Sequence, residues 1–257
     1  MTVPTNKVAC FFTQLNENKD NLFFSNKCFE LVEYWKKSWE ANGWEAHVLD
    51  EEYLDKEDEH YIALKFNNWS ESNFCKDTMD FHPEYTRACY LRWFAYYQFA
   101  KENGTIFHAD IDAINYGVNP QSRNVPVNTM LNYSYSAGKQ NVFGLRSLLE
   151  NFIYVERNPE IYKSTFAHGK TNDIHINSST ISPSVYHPRI CMAPNEELML
   201  QRGGHFMNKG RIVDYHNGIF YKPEGDPNVF DISYLIEGHT RLGAIKILEK
   251  HFHLMSY

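Results

Sequence analysis

Asp110 and Asp112, in the segment FHADIDAINYG (107–117), stand one residue apart at the end of an apolar run. Residues i and i+2 of a strand project to the same face, so the spacing predicts two carboxylates side by side where the chain leaves a sheet. At roughly 6–7 Å along a strand such carboxylates repel, and each raises the other's pKa. A divalent cation removes that penalty. Mg²⁺ and Mn²⁺ prefer oxygen ligands, commonly one or two carboxylates completed by phosphate oxygens and water. The plainer alternative has Asp110 capping the strand end and Asp112 opening a turn, with Asn115, Gly117 and Asn119-Pro120 behind it.

The elements that must position the pair are legible on either side. HPEYTRACYLRWFAYYQFAKENG (82–104) reads as a helix, with Pro83 at its first position and Asn103-Gly104 closing it. Between Tyr85 and Ala100 its only charged residues are Arg87 and Arg92, so the helix is expected to be buried on nearly all sides. The two arginines fall about 140° apart on a 3.6-residue turn and cannot serve one face together. TIFHADIDA then runs out as a strand. Upstream, KVACFFTQ (7–14) reads as a buried first strand. Cys28, Leu31, Val32, Trp35 and Trp39 follow at helical spacing up to Asn42-Gly43, and WEAHVLD (44–50) reads as a second strand. Strand, helix, strand opens an α/β fold, and open α/β sheets bind ligands at the carboxyl ends of their strands.

Downstream, VPVNTMLNYS (125–134) reads as a further strand, and Leu145, Leu148, Leu149, Phe152 and Ile153 mark a helix ending near Asn158-Pro159. RICMAP and GRIVDYHNGIFYK (210–222) read as late strands, and HTRLGAIKILEKHF (239–252) as a closing helix. The expectation is a mixed sheet with helices on both faces.

The 257 residues suffice for one α/β domain, and the aromatic content of 16% is read first as core filling. The formal charge of −7 is concentrated in DEEYLDKEDEH (50–60), seven acids against Lys56, which reads as a solvated loop or short helix. No basic stripe appears, so duplex nucleic acid is not an expected partner. Five widely spaced cysteines without a CxxC pair suggest buried thiols in a reducing, cytoplasmic setting. Neither a signal peptide nor a membrane-spanning run is apparent.

The segment YLRWFAYYQFAKENGTIFHADIDAINYG resembles the part of the metal-dependent GT-A glycosyltransferases that carries their DxD motif, where an arginine-containing apolar helix leads through Gly into a strand ending in Asp-x-Asp. The match covers about thirty residues, and the βαβ order agrees over the first hundred or so. The resemblance implies a GT-A-like, Rossmann-related mixed central sheet in a single domain, with residues 1–120 binding a nucleotide-sugar and 121–257 binding the acceptor. It implies a nucleotide-diphosphate sugar donor, a glycan, glycoprotein or other hydroxyl acceptor, and Mn²⁺ or Mg²⁺. Asp112 would bind the metal and Asp110 would contact the ribose or the metal shell. A late histidine often completes that shell, which nominates His216 in GRIVDYHNG, with His239 and His205 in reserve and His108 structural. The end of the first strand would cradle base and ribose, nominating Phe12, Thr13 and Gln14, and Arg87 or Arg92 would reach the nucleotide, with Arg92 favoured. An inverting enzyme needs a carboxylate to take the acceptor's proton, for which Asp173 is the first candidate and Asp214 the second.

Two other enzyme classes and one binding class compete. A phosphohydrolase of the haloacid-dehalogenase type shares D-x-D, but its motif sits near the N-terminus and continues differently from Ala113-Ile114. A nucleotidyltransferase needs a Gly-rich basic phosphate loop after the first strand, which KVACFFTQ lacks. A non-catalytic carbohydrate-binding domain would keep the aspartates for structure alone.

Overall fold

The computed structural model describes residues 6–13, 28–76, 83–111, 113–115, 119–121 and 137–160, with backbone strand fragments at 210–211, 222–223 and 229–231. Strand β1 (Lys7–Phe11), helix α1 (Cys28–Glu40) and strand β2 (Glu45–Leu49) form the expected opening unit. Two short helices, α2 (Glu59–Ala63) and α3 (Asn73–Lys76), flank a 3₁₀ segment at Phe66–Glu71. The long helix α4 (Pro83–Asn103) feeds β3 (Ile106–Ala109) through Gly104, whose φ of 77° favours a residue without Cβ. Then come β4 (Ala113–Asn115), β5 (Ala137–Gln140) and α5 (Val142–Arg157), which Asn141 caps by accepting from the Gly144 amide. The fragments are β6 (Gly210–Arg211), β7 (Lys222–Pro223) and β8 (Val229–Asp231).

Strand order in the main sheet is β2-β1-β3-β5. The first three are mutually parallel, and β5 runs antiparallel to β3. A mixed α/β sheet is therefore what the chain builds. Away from it, β4 pairs with β8 and β6 with β7, both antiparallel.

Alternation along the strands sorts the core into two faces. Phe107 packs against Trp39 and Trp44 beside α1, with ring centroids 5.4 and 5.0 Å away. Leu31, Trp35 and Trp39, at i, i+4 and i+8 of α1, are the residues that bury this side. Ala9, Phe11 and Ile106 join the opposite cluster, built from α4 and from Leu145, Leu148, Leu149 and Phe152 of α5. His108 belongs to the α4 side too, its ring 5.3 Å from both Trp93 and Tyr96. Helix α4 is thus covered by the sheet on one side and by α5 on the other. Its run from Tyr90 to Ala100 is buried apart from Arg92, as its composition requires.

The strands expected at 125–134 and at RICMAP and the helix expected at 239–252 lie outside the described residues, as does most of 210–222. Among the described residues no helix is long and apolar enough to cross a membrane. Cys10, Cys75 and Cys89 are free thiols, and Cys10 is fully buried.

Candidate functional site

The parallel strands set the site's floor. β1 is in register with β2 through Phe11 opposite Leu49, and with β3 through Ala9 opposite His108. Two residues further along that register, Asp110 comes level with Phe11. Thr13, Glu51 and Asp110 therefore all follow the carboxyl ends of neighbouring parallel strands, the edge at which open α/β sheets bind ligands. Helix α4 contributes Arg87 and Arg92 from above.

The strand expectation for the aspartate pair needs correction. β3 ends at Ala109, where its ladder with β5 closes on Ala137, and Ile111 lies in a turn. Asp110 is thus not a strand residue whose partner at i+2 automatically shares its face. It takes the α4 side by continuing the alternation of Ile106 and His108, and Arg92 meets it there: Nη1 donates to Oδ1 at 3.0 Å, with both side chains about one-fifth exposed. Asp112 lies outside the described residues.

Asp110's charge reaches inward. Burial pushes the Cys10 thiol well above its ordinary value, and the neighbouring Asp110 carboxylate adds to that. Tyr96, one helical turn after Arg92, is likewise pushed up first by burial and then by Asp110, with Arg92 opposing. The sequence reading passed over Tyr96. Its i, i+4 spacing from Arg92 is the signal that places both on the face of α4 that meets Asp110.

Arg87 is differently engaged. Its Nη1 and Nη2 grip the two oxygens of Glu51 at 3.0 and 2.9 Å, and Nε donates to the Phe66 carbonyl at 3.1 Å. Thr13 Oγ1 donates to Glu51 Oε1 at 2.9 Å. Burial alone would raise the Glu51 carboxyl, but the bonds and charge of Arg87, helped by Thr13, hold it below its ordinary value. The two arginines serve different faces, as their spacing requires.

The acidic run is a largely exposed loop leading into α2, as expected, and Glu51 and Asp58 are its half-buried acids. Glu51 is taken by Arg87, and Asp58 caps α2 through the His60 amide while pairing with Lys101 at 3.0 Å. Glu51 was missed as a site residue because seven acids in eleven positions masked it. Its distinguishing signal is position: two residues past an apolar strand, much as Asp110 follows β3.

Phe12 is half-buried, donates its amide to the Leu49 carbonyl at 2.8 Å and meets Phe29 edge-on at 5.5 Å. His108 is buried among aromatic rings, in keeping with a structural part. Gln14, Asp173, Asp214, His216, His205 and His239 lie outside the described residues. Among the described residues no group of three or more His, Cys, Asp or Glu could hold a metal ion. Asp110 itself suits a hard divalent cation in chemistry, being a carboxylate at a partly exposed edge, with Arg92 on one oxygen.

No family model matches the chain, and comparison with curated proteins and with solved structures gives no match.

Proposed function

We propose that the chain is a metal-dependent glycosyltransferase of GT-A type, moving a sugar from a nucleotide-diphosphate donor to a hydroxyl acceptor. The observation that carries this reading is the Arg92–Asp110 pair just past β3, level with the end of β1, at the carboxyl edge of parallel strands. The fold supports it at the coarser level of a mixed α/β sheet; the GT-A assignment is part of the proposal.

Asp110 and Asp112 would hold the cation, with His216 as the late ligand. When bound, the cation stabilises the negative charge that grows on the departing diphosphate. The protein's own contribution begins with Arg92, whose charge-assisted hydrogen bond fixes the Asp110 carboxylate at the strand end. Thr13 and Phe12 would meet the base and ribose of the donor, and Asp110 its ribose side. Asp173, or failing it Asp214, takes the acceptor's proton if the reaction inverts the anomeric centre.

The test is nucleotide release from UDP-, GDP- and dTDP-sugars with Mn²⁺ or with EDTA. Release that requires the metal and is lost in Asp112→Asn, with circular dichroism unchanged, is the expected result. Phosphate release from a monoester instead would point to a hydrolase. Absence of nucleotide binding by calorimetry would leave a carbohydrate-binding domain and end the transferase reading.

A further inference from the structure

Lys65 sits at φ 58°, ψ 34°, in the left-handed region. Among the described residues it is the only non-glycine with positive φ. An L side chain is disfavoured there, and such conformations persist where their surroundings over-determine them. Here the determinants are visible. The Lys65 amide donates to the Ile62 carbonyl at 3.0 Å, and its own carbonyl accepts from Asn68 at 2.9 Å. Its Nζ lies 3.0 Å from Glu156 Oε1 of α5 and 3.3 Å from the Glu71 carbonyl.

Glu156 is a glutamate with 1% of its side chain exposed. It accepts from Ser72 Oγ at 2.9 Å and from the Asn73 amide at 2.9 Å, while Asn73 Nδ2 returns a bond of 2.6 Å to the Glu156 carbonyl. One buried carboxylate therefore ties both ends of the 65–74 segment to α5. The residue that the left-handed turn presents next is Phe66, and its carbonyl receives Arg87 Nε. From there the bonds run through Glu51 to Thr13, at the ends of β2 and β1.

We propose that Lys65 and Glu156 are positioning residues for the β1–β2 corner of the site. Their ion pair fixes the turn that offers the Phe66 carbonyl to Arg87, and Arg87 so held sets the Glu51 carboxylate and the Thr13 hydroxyl. This deepens the transferase reading and rests on it in taking that corner as donor-binding. The competing view is that Phe66, Trp69 and Phe74, all buried, hold the segment by packing alone and that the ion pair is incidental.

The experiment follows the Arg87 Nε–H resonance in the ¹⁵N-labelled full chain, assigned by its loss in Arg87→Lys, alongside calorimetric titration of UDP, GDP and dTDP with Mn²⁺. Lys65→Met and Glu156→Gln are each expected to speed solvent exchange of that proton about tenfold and to weaken the preferred diphosphate about fivefold. Lys65→Gly, which adopts the turn unaided, is expected to keep both near wild type. Unchanged Arg87 exchange in folded Lys65→Met overturns the proposal whatever the nucleotides do, and so does faster exchange with unaltered affinity. Faster exchange in a protein that binds none of the three diphosphates leaves the relay standing and removes the transferase reading instead. Should Glu156→Gln fail to fold, Lys65→Met decides, because Lys65 is 39% exposed and its loss opens no cavity.

Discussion

The two arginines of α4 each meet an acid that follows a parallel strand, yet the two corners are built differently. Arg87 spends a two-pronged grip on Glu51 and a third donor on a backbone carbonyl, with Thr13 closing the group from β1. Arg92 reaches Asp110 through Nη1, and the carboxylate it holds influences the buried Cys10 thiol and Tyr96 phenol. A guanidinium fork on a carboxylate fixes geometry, since both partners are planar and the bonds are parallel. The Arg87 corner therefore reads as a brace joining β1, β2, α4 and the 3₁₀ segment. The Arg92 corner is the mount of a single carboxylate, which the transferase proposal makes a metal ligand. On that proposal, similar chemistry at two neighbouring strand ends braces the donor-binding corner in one place and presents the metal-binding carboxylate in the other.

That contrast is most easily broken by removing each arginine in turn. On the transferase proposal, Arg92→Met is expected to lower donor turnover by about 10–100-fold, the usual cost of losing a group that orients a metal ligand, while stability falls by about 1 kcal/mol. Arg87→Met is expected to do the reverse. It leaves Glu51 without its counter-charge and the Phe66 carbonyl without Arg87 Nε, costing about 2–3 kcal/mol, with turnover kept within about tenfold. Urea denaturation and metal-dependent nucleotide release on the same preparations measure both quantities. If Arg87→Met proved the more inactive and the less destabilised of the two, the assignment of brace and mount would have to be exchanged.

How much of this was legible in the sequence follows from which forces are local. α4 was readable because Pro83, Gly104 and a mostly apolar run between them carry their meaning within a few residues. α1 and β2 were readable for the same reason, to within a residue or two, and so was β1, although it ends at Phe11 instead of running to Gln14. The end of β3 was not, because a strand stops where its partner stops, and Ala137 lies far along the chain. Glu51 was hidden by composition, since an acid inside an acidic run looks solvated until Arg87 arrives from 36 residues away. Lys65 was invisible for a different reason. Nothing in LKFNN announces a left-handed backbone, which here is sustained by Glu156 from the far end of α5.

The brace should also be visible in the pH dependence of stability. Glu51's carboxyl is held below its ordinary value of 4.5 because Arg87 and Thr13 outweigh the effect of burial. A group depressed on folding binds fewer protons in the native state than in the unfolded one, so its contribution is complete above the unfolded value. That contribution fades as pH falls through the lower, folded value. Urea midpoints taken from pH 6 down to pH 3 are expected to fall less steeply in Glu51→Gln than in wild type. Asp58, whose carboxyl is also depressed against burial by the His60 amide and Lys101, stays in place in both proteins and contributes to the slope that remains. Equal slopes would mean that Glu51 is no better held in the native chain than in the unfolded one.

The smallest effect, and the sharpest on the geometry of the corner, is expected from Thr13→Val. Valine keeps the shape and the β-branch but removes the donor that reaches Glu51 Oε1. Arg87 still grips both oxygens, so the carboxylate stays partnered and the loss should be that of one hydrogen bond, about 0.5–1.5 kcal/mol. Because the hydroxyl's acceptor is Glu51 Oε1, the change in Thr13→Val should disappear when Glu51 is already alanine and offers no acceptor. A loss that persisted undiminished in that background would place the hydroxyl's partner elsewhere than on Glu51. It would detach β1 from the brace, leaving Arg87 to join only β2, α4 and the 3₁₀ segment.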